Sequence, residues 1–161
     1  DASSRILRRV VPGYGYSKKS KRAETDQKLR DKVVREVKKA RSNLDRVSDM
    51  AYDDGEREVV DSVSDITDSL LKLESKVDSS PNGGLLSGVS SATEEDMIRL
   101  AETDVKLVRD AETLSEATDR LEEAVIEGKT EEIERRLRRL QKTSEDIERA
   151  FEDRKDVLEG L

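Results

Sequence analysis

The side chains that could do chemistry in this sequence are almost all carboxylates, ammonium groups and guanidinium groups. The chain has 38 Asp and Glu and 31 Lys and Arg, but neither histidine nor cysteine. General acid–base catalysis near neutral pH therefore lacks its usual carrier, and thiolate or imidazole metal sites are excluded. The segment Pro81–Gly84 also lacks the Gly-Lys-Ser/Thr that a phosphate-binding loop requires. We therefore expect a protein that is not an enzyme, with no cofactor and no metal site.

One cluster of neighbouring acids with metal-binding potential is the segment Asp53-Asp54-Gly55-Glu56. Its oxygens could hold Ca²⁺ weakly, but the spaced ligands of an EF-hand loop are absent. Asp53 and Glu56 have the spacing of a capping box, in which two side chains satisfy backbone amides at the start of a helix. The pattern favours a capped turn between two helices over a metal site.

Positive charge is concentrated in the first part of the chain. Residues 1–50 contain 15 Lys and Arg against 7 Asp and Glu, whereas residues 51–161 contain 16 against 31. Such asymmetry suggests a basic arm that engages an anionic surface and is carried on an acidic body.

The start of the basic region predicts a short amphipathic helix over residues 3–11. Its apolar residues fall on one side at 100° per residue and its arginines on the other, and Pro12-Gly13 ends it. Residues 14–22 then predict a flexible basic connector. The candidate membrane- or partner-binding residues are Arg5, Ile6, Leu7, Arg8, Arg9, Val10, Val11, Tyr14, Tyr16, Lys18, Lys19, Lys21 and Arg22.

This arm has three interpretations. On an anionic membrane surface, its four aliphatic side chains would insert while its cations attract lipid phosphate. On a nucleic acid, Tyr14 and Tyr16 would stack on bases while the cations neutralise phosphates. The third interpretation is a solvated tail without a partner. Of the two functional ones we prefer the membrane, because no nucleic-acid-binding motif accompanies the arm and the acidic body would repel a polyanion.

The rest of the chain predicts four long amphipathic helices, because apolar residues recur in steps of 3 and 4. We expect them at about residues 24–51, from the turn at 53–56 to 77, from 93 to 127, and at 131–158. The exposed faces of the third and fourth helices place Glu four residues before Arg or Lys seven times, which favours the same structure. Gly128-Lys129-Thr130 is expected to close a tight turn, with Gly128 as the C-cap of one helix and Thr130 as the N-cap of the next.

Two features interrupt these patterns. Asp104 occupies an apolar position of the third long helix, where it could fix register as a buried polar residue. We favour the alternative, in which Asp104 lies at the edge of the stripe and reaches solvent. The Gly/Ser-rich break also contains an apolar patch, Leu85, Leu86 and Val89, which either folds over the helices or serves as a docking loop.

The expected fold is all-α: two antiparallel long-helix hairpins that form an elongated four-helix bundle or coiled coil, with a basic N-terminal arm. The expected divisions are the arm at 1–23, one hairpin at 24–77, a linker at 78–93 and the second hairpin at 94–161. We expect a cytoplasmic scaffold or interaction protein, peripheral on the inner face of the membrane. Its partners would be proteins bound through helical faces, an anionic membrane surface or a second copy of the chain. The alternatives are a nucleic-acid-associated protein and a structural coiled-coil subunit of a larger complex.

Residues 11–30 resemble the opening of a prokaryotic helical family without known activity. Members begin with a Pro-Gly-Tyr-x-Gly-Tyr segment and a charged run that ends in Thr-Asp-x-x-Leu-Arg, similar to Pro12–Tyr16 and Thr25–Arg30 here. A Gly-rich segment before an acidic helix is similar to residues 83–104. The resemblance implies company with membrane-scaffold proteins of the stomatin/prohibitin-like type.

Overall fold

The computed structural model describes residues 2–79 and 92–160, and every regular element in these two ranges is helical. The elements are α1 (Ala2–Val10), a single 3₁₀ turn (Lys19–Lys21), α2 (Arg22–Asp53), α3 (Arg57–Ser79), α4 (Glu94–Glu127) and α5 (Thr130–Glu159). The predicted all-α class is confirmed, and the five helices pack against one another. No helix of the described ranges is long and apolar enough to cross a membrane.

The core forms where the apolar stripes of the four long helices meet. Helix α2 packs against α3 and α4, and α5 packs against α4 and α3. Leu29, Leu44, Leu70 and Leu121 are among the side chains with no exposed surface. The steps of 3 and 4 thus mark the buried side of each helix, as an amphipathic periodicity predicts.

The helix ends confirm part of the predicted capping. Thr93 caps α4 in a capping box with Asp96, and Gly128 ends α4 with a φ of 66°, a left-handed conformation that glycine adopts at low cost. Asp53 is wrong as an N-cap, because it is still the last residue of α2. Thr130 is also wrong as an N-cap, because it is the first residue of α5 and Lys129 precedes it as the cap position.

The N-terminal segment, residues 2–21, departs most from expectation, because it is packed against the long helices. Helix α1 lies against α4. After it, Gly13 adopts a φ of +81°, and the Tyr14 amide donates to the Val11 carbonyl oxygen over 3.1 Å. This turn redirects the chain across the bundle, so residues 14–16 are a packed crossing and the predicted flexible connector is wrong there.

Candidate functional site

A cluster of charged and phenolic side chains is buried where the N-terminal segment crosses the long helices. We call Tyr14, Tyr16, Asp26, Asp104 and Arg154 the polar cluster; their exposed fractions are 3% or less. Arg154 Nε donates to Asp104 over 2.7 Å. Its Nη2 donates to Asp26 over 2.5 Å and to the Tyr16 hydroxyl over 3.1 Å. One guanidinium on α5 therefore joins α2, α4 and the N-terminal segment.

Both tyrosines bind the carboxylate that Arg154 holds. The Tyr14 and Tyr16 hydroxyls donate to the same oxygen of Asp104 over 2.6 and 2.7 Å. Their rings meet edge to face with centroids 5.2 Å apart, a favourable geometry for aromatic pairs. Since the two rings bury almost all of their surface here, the polar cluster fastens the N-terminal segment to α4.

Asp26 extends the cluster towards α3. Its second oxygen accepts from Arg30 Nε over 3.1 Å, one turn along α2. Arg30 Nη1 in turn donates over 3.0 Å to the carbonyl oxygen of Val77, one of the last carbonyls of α3, which have no partner within their own helix. The polar cluster and Arg30 together therefore contact every long helix.

Burial and charge determine the protonation of the cluster. Burial, followed by the charge of Asp104, raises the pKa of Tyr14 and of Tyr16 far above the usual value, so both phenols stay neutral. Burial alone would lower the pKa of Arg154, but Asp104, Tyr16 and Asp26 outweigh it and raise that pKa well above its usual value. Arg154 therefore stays charged, and neither the phenols nor the guanidinium change protonation near neutral pH.

The favoured interpretation of Asp104 as a solvent-reaching edge residue is wrong. Its exposed fraction is 0%, because three donors, two phenols and a guanidinium, replace the water that a carboxylate requires. The alternative, a buried polar residue, agrees with the structure.

The structure divides the predicted arm residues into buried and exposed groups. Leu7, Val11, Tyr14, Tyr16 and Arg22 are buried. Insertion of Leu7 or Val11 into a membrane, or stacking of either tyrosine on a base, would therefore first require this segment to leave the bundle. Val10 is half-buried, and Ile6 is 39% exposed. The exposed cations are Arg5, Arg8, Arg9, Lys18 and Lys21.

Two predicted features lie outside the described residues. One is the side chain of Lys19, and the other is the proposed docking loop of Leu85, Leu86 and Val89. The predicted linker, 78–93, overlaps a helix at its start, because α3 continues to Ser79, whereas α4 begins at Glu94, directly after the predicted linker.

Sequence reasoning missed Asp26, Arg30 and Arg154 as members of a site. Arg154 lies between Phe151 and Leu158 in steps of 3 and 4, in the apolar register of α5. Asp26 likewise lies three residues before Leu29, where the apolar stripe of α2 begins. The available signal was the presence of opposite charges at core positions of different helices. The sequence pattern identified only Asp104 as such a position.

No group of three or more Asp or Glu side chains that could hold a metal ion occurs within residues 2–79 and 92–160. No protein-family model, curated protein or solved structure matches the chain. Its own contacts therefore carry the functional conclusions.

Proposed function

We propose that the chain is a non-enzymatic interaction or scaffold protein that binds anionic surfaces through the exposed cations of its N-terminal segment. The observation that carries the proposal is the orientation of α1. Its apolar residue Leu7 is 1% exposed against the bundle, whereas Arg5, Arg8 and Arg9 face solvent. The segment thus offers a fixed cationic face, and attraction to phosphate replaces insertion as the main source of affinity.

The proposed architecture is a four-helix bundle made of two antiparallel hairpins, α2–α3 and α4–α5. Short connections, 54–56 and 128–129, join the helices of each hairpin. Arg30 donates to Val77, and Arg41, farther along α2, donates to Glu74, which comes earlier in α3. This order of contacts supports an antiparallel arrangement of α2 and α3. Asn43 pairs with Asp119 and Arg46 with Glu122, both 76 residues apart, which supports a parallel arrangement of α2 and α4.

Two properties of the polar cluster support a non-catalytic role. Its tyrosines and its arginine keep one protonation state near neutral pH, whereas a general acid or base must change its state during turnover. Its carboxylates are saturated by donors from the protein, as in an ion pair that fixes a structure. Burial of Tyr14 and Tyr16 also removes the stacking surface that a nucleic-acid role would use, which favours the membrane over that alternative.

Vesicle co-sedimentation tests the proposal. The chain should sediment with phosphatidylglycerol vesicles at low salt and leave them as salt screens the charges. The double variant Arg5→Glu/Arg9→Glu should bind about thirtyfold more weakly or worse, because each cation near an anionic surface contributes about 1 kcal/mol. The matched control is Arg138→Glu/Lys142→Glu, an equal charge change at exposed positions of α5.

Equal loss in both double variants would show that overall charge, not the α1 face, determines binding, and would contradict the proposal. So would a wild-type chain that stays in the supernatant at low salt. Ile6→Asp, at a 39% exposed position, separates surface attraction from insertion. It should weaken binding by less than about tenfold if the aliphatic face stays docked on the bundle.

A further inference from the structure

A cavity of about 370 Å³ opens between the N-terminal segment and the first turns of α4. One side is formed by α1 and by the backbone of residues 15–17, and the other by Thr93, Glu94, Met97 and Ile98. Two guanidinium groups line it, Arg8 from α1 and Arg22 from the first turn of α2. The cavity lies beside the polar cluster, but among the cluster residues only Tyr16 contributes to its wall.

Both guanidiniums are anchored through the same nitrogen. Arg8 Nε donates to the Tyr14 carbonyl oxygen over 3.1 Å, and Arg22 Nε donates to the Tyr16 carbonyl oxygen over 2.8 Å. These bonds hold the two side chains on either side of Gly15. A Cβ at Gly15 would lie 3.7 Å from Arg8 Nη2, so the backbone and this guanidinium are in close contact. The Nη groups have no hydrogen-bond partner within the described ranges of the chain, so they can bind a ligand.

Arg22 is the unusual member of the pair. It is 8% exposed, yet within residues 2–79 and 92–160 no carboxylate pairs with it, and its only hydrogen bond is the one from Nε. A largely buried guanidinium normally has a carboxylate partner, because loss of hydration is costly unless another charge offsets it. Arg154 has two such partners, whereas Arg22 has none.

We propose that this cavity is a binding site for a phosphate group, in which the Nη groups of Arg8 and Arg22 donate to its oxygens. Arginine is suited to this task because its planar fork donates two parallel hydrogen bonds to an oxyanion. The charged groups in the cavity wall are two guanidiniums and one carboxylate, that of the exposed Glu94, so their net charge is positive. Met97 and Ile98 give the cavity an apolar wall as well, which fits an organic phosphate with a small carbon skeleton.

The site goes beyond the proposed surface role: it shares Arg8 with the cationic face of α1 but depends on Arg22, which is buried, and not on Arg5 or Arg9. It would take a free phosphate ester or the phosphate of a lipid headgroup, and the two sources are separable by experiment. Three probes distinguish them: inorganic phosphate, glycerol 3-phosphate and phosphatidylglycerol vesicles. A free ester would bind without any membrane, whereas a site specific for lipid would respond to the vesicles alone.

NMR of the arginine side chains gives a direct measurement. The Nε–H signals of Arg8 and Arg22 should be visible, because both groups are hydrogen-bonded to carbonyl oxygens. On titration with phosphate or glycerol 3-phosphate, both signals should shift and saturate. Sodium chloride of equal ionic strength should produce no saturable shift. Arg154, whose Nε–H is hydrogen-bonded to Asp104 and which lies outside the cavity wall, supplies the reference signal.

Three variants test the assignment. Arg22→Gln should weaken phosphate binding about ten- to a hundredfold, the range expected for charge-assisted hydrogen bonds. Arg138→Gln, at an exposed position of α5 outside the cavity wall, is the matched control and should change the affinity by less than about twofold. Because Arg22→Gln also removes an anchor of the segment, Ile98→Trp provides a second test. It fills the cavity while it keeps both guanidiniums, and it should abolish the saturable shift.

Three results would overturn the site: no saturable shift with any of the three probes, equal losses in Arg22→Gln and Arg138→Gln, or binding that survives Ile98→Trp. Sedimentation with vesicles that depends on Arg5 and Arg9 but not on Arg22, together with no saturable shift from inorganic phosphate or glycerol 3-phosphate, would also overturn it and would leave the proposed surface role intact. Binding of glycerol 3-phosphate without sedimentation would support the site and contradict the surface role.

Discussion

The polar cluster and the core near the two turns bury their side chains equally well but with opposite chemistry. Near the turns, Leu44, Val47, Ala51 and Leu121 have exposed fractions of 0%, and packing alone holds them. At the other end, Asp104 and Arg154 are also 0% exposed, and directed hydrogen bonds hold them. Apolar packing is non-directional and tolerates adjustment. An ion pair shared by three helices has only one set of partners, so the polar cluster fixes the register of the helices. The apolar core near the turns contributes stability instead.

The largest expected effect comes from removing the central cation of the polar cluster. Arg154→Met should lower the free energy of unfolding by about 3–5 kcal/mol, because it leaves the buried carboxylate of Asp104 without a counter-charge and leaves Asp26 with Arg30 alone. Chemical denaturation measures the loss. The control is Arg149→Met on the same helix, whose side chain is 71% exposed and whose loss should be below about 1 kcal/mol.

A second substitution sharpens that result. In the Arg154→Met background, Asp104→Asn should recover part of the lost stability, because it removes the unpaired charge and its amide oxygen still accepts from the tyrosines. Additive losses in the double variant would mean that Arg154 acts through packing, and the contrast between the two regions would then disappear.

The stability of the apolar core near the turns should depend on side-chain volume and not on hydrogen-bond partners. Leu121→Ala should cost about 2–5 kcal/mol through the lost contacts and the cavity left behind. Leu121→Met conserves volume and should cost less than about 1.5 kcal/mol. Thermal denaturation of both variants gives the measurement. A Leu121→Met loss as large as that of Arg154→Met would show that this core is as specific as the polar cluster.

Alkaline pH should change the stability contributed by the polar cluster and that contributed by the apolar core to different extents. Burial raises the pKa of Tyr14 and Tyr16 in the folded chain far above the usual value near 10. Above that pH the unfolded chain loses protons that the folded chain keeps, so the free energy of unfolding falls as pH rises. Each tyrosine contributes a slope of about 1.4 kcal/mol per pH unit.

Tyr14→Phe or Tyr16→Phe should therefore each reduce the slope of stability against pH above about pH 10. Denaturant titrations between pH 9 and pH 11.5 check this expectation. Tyr52→Phe is the matched control, since Tyr52 is 75% exposed and lies at the turn end. An equal change of slope in the control would contradict the role assigned to burial.

The smallest expected effect concerns a turn. Gly128 has a φ of 66° with no atom within 4 Å of an added Cβ, so Gly128→Ala should cost only the backbone strain, about 1–2 kcal/mol. At Gly160 φ is −79°, which any residue adopts, so Gly160→Ala should be close to neutral. Melting temperatures compare the pair, and equal values would contradict the left-handed C-cap.

The sequence predicted the helices well because their signal is local. Steps of 3 and 4 depend only on neighbours along one helix, and the predicted end of the third long helix at Glu127 agrees with the structure. The all-α class follows from the same pattern. Turn chemistry was less reliable: Gly128 was predicted correctly as a C-cap, whereas Asp53 and Thr130 are helical residues beside their turns.

The polar cluster was not predicted because its bonds are not local. Tyr16 and Arg154 are 138 residues apart, and no periodicity within one helix identifies that pairing. A dense basic segment with two tyrosines has the composition of an exposed arm, so its burial depended on partners elsewhere in the chain. Charged residues in the apolar register of α2, α4 and α5 were the signal that could have indicated it.

The same separation has a consequence for synthesis on the ribosome. Tyr16 leaves the ribosome 138 residues before the arginine it binds, which at 5–20 residues per second is roughly 7–30 s. Until then Asp26 and Asp104 have no Arg154 to neutralise them, and the N-terminal segment lacks its complete docking site. The N-terminal segment is therefore secured only after α5 has been made. A nascent chain that stalls before α5 would leave that segment undocked and open to proteases, because the polar cluster can close only once Arg154 has left the ribosome.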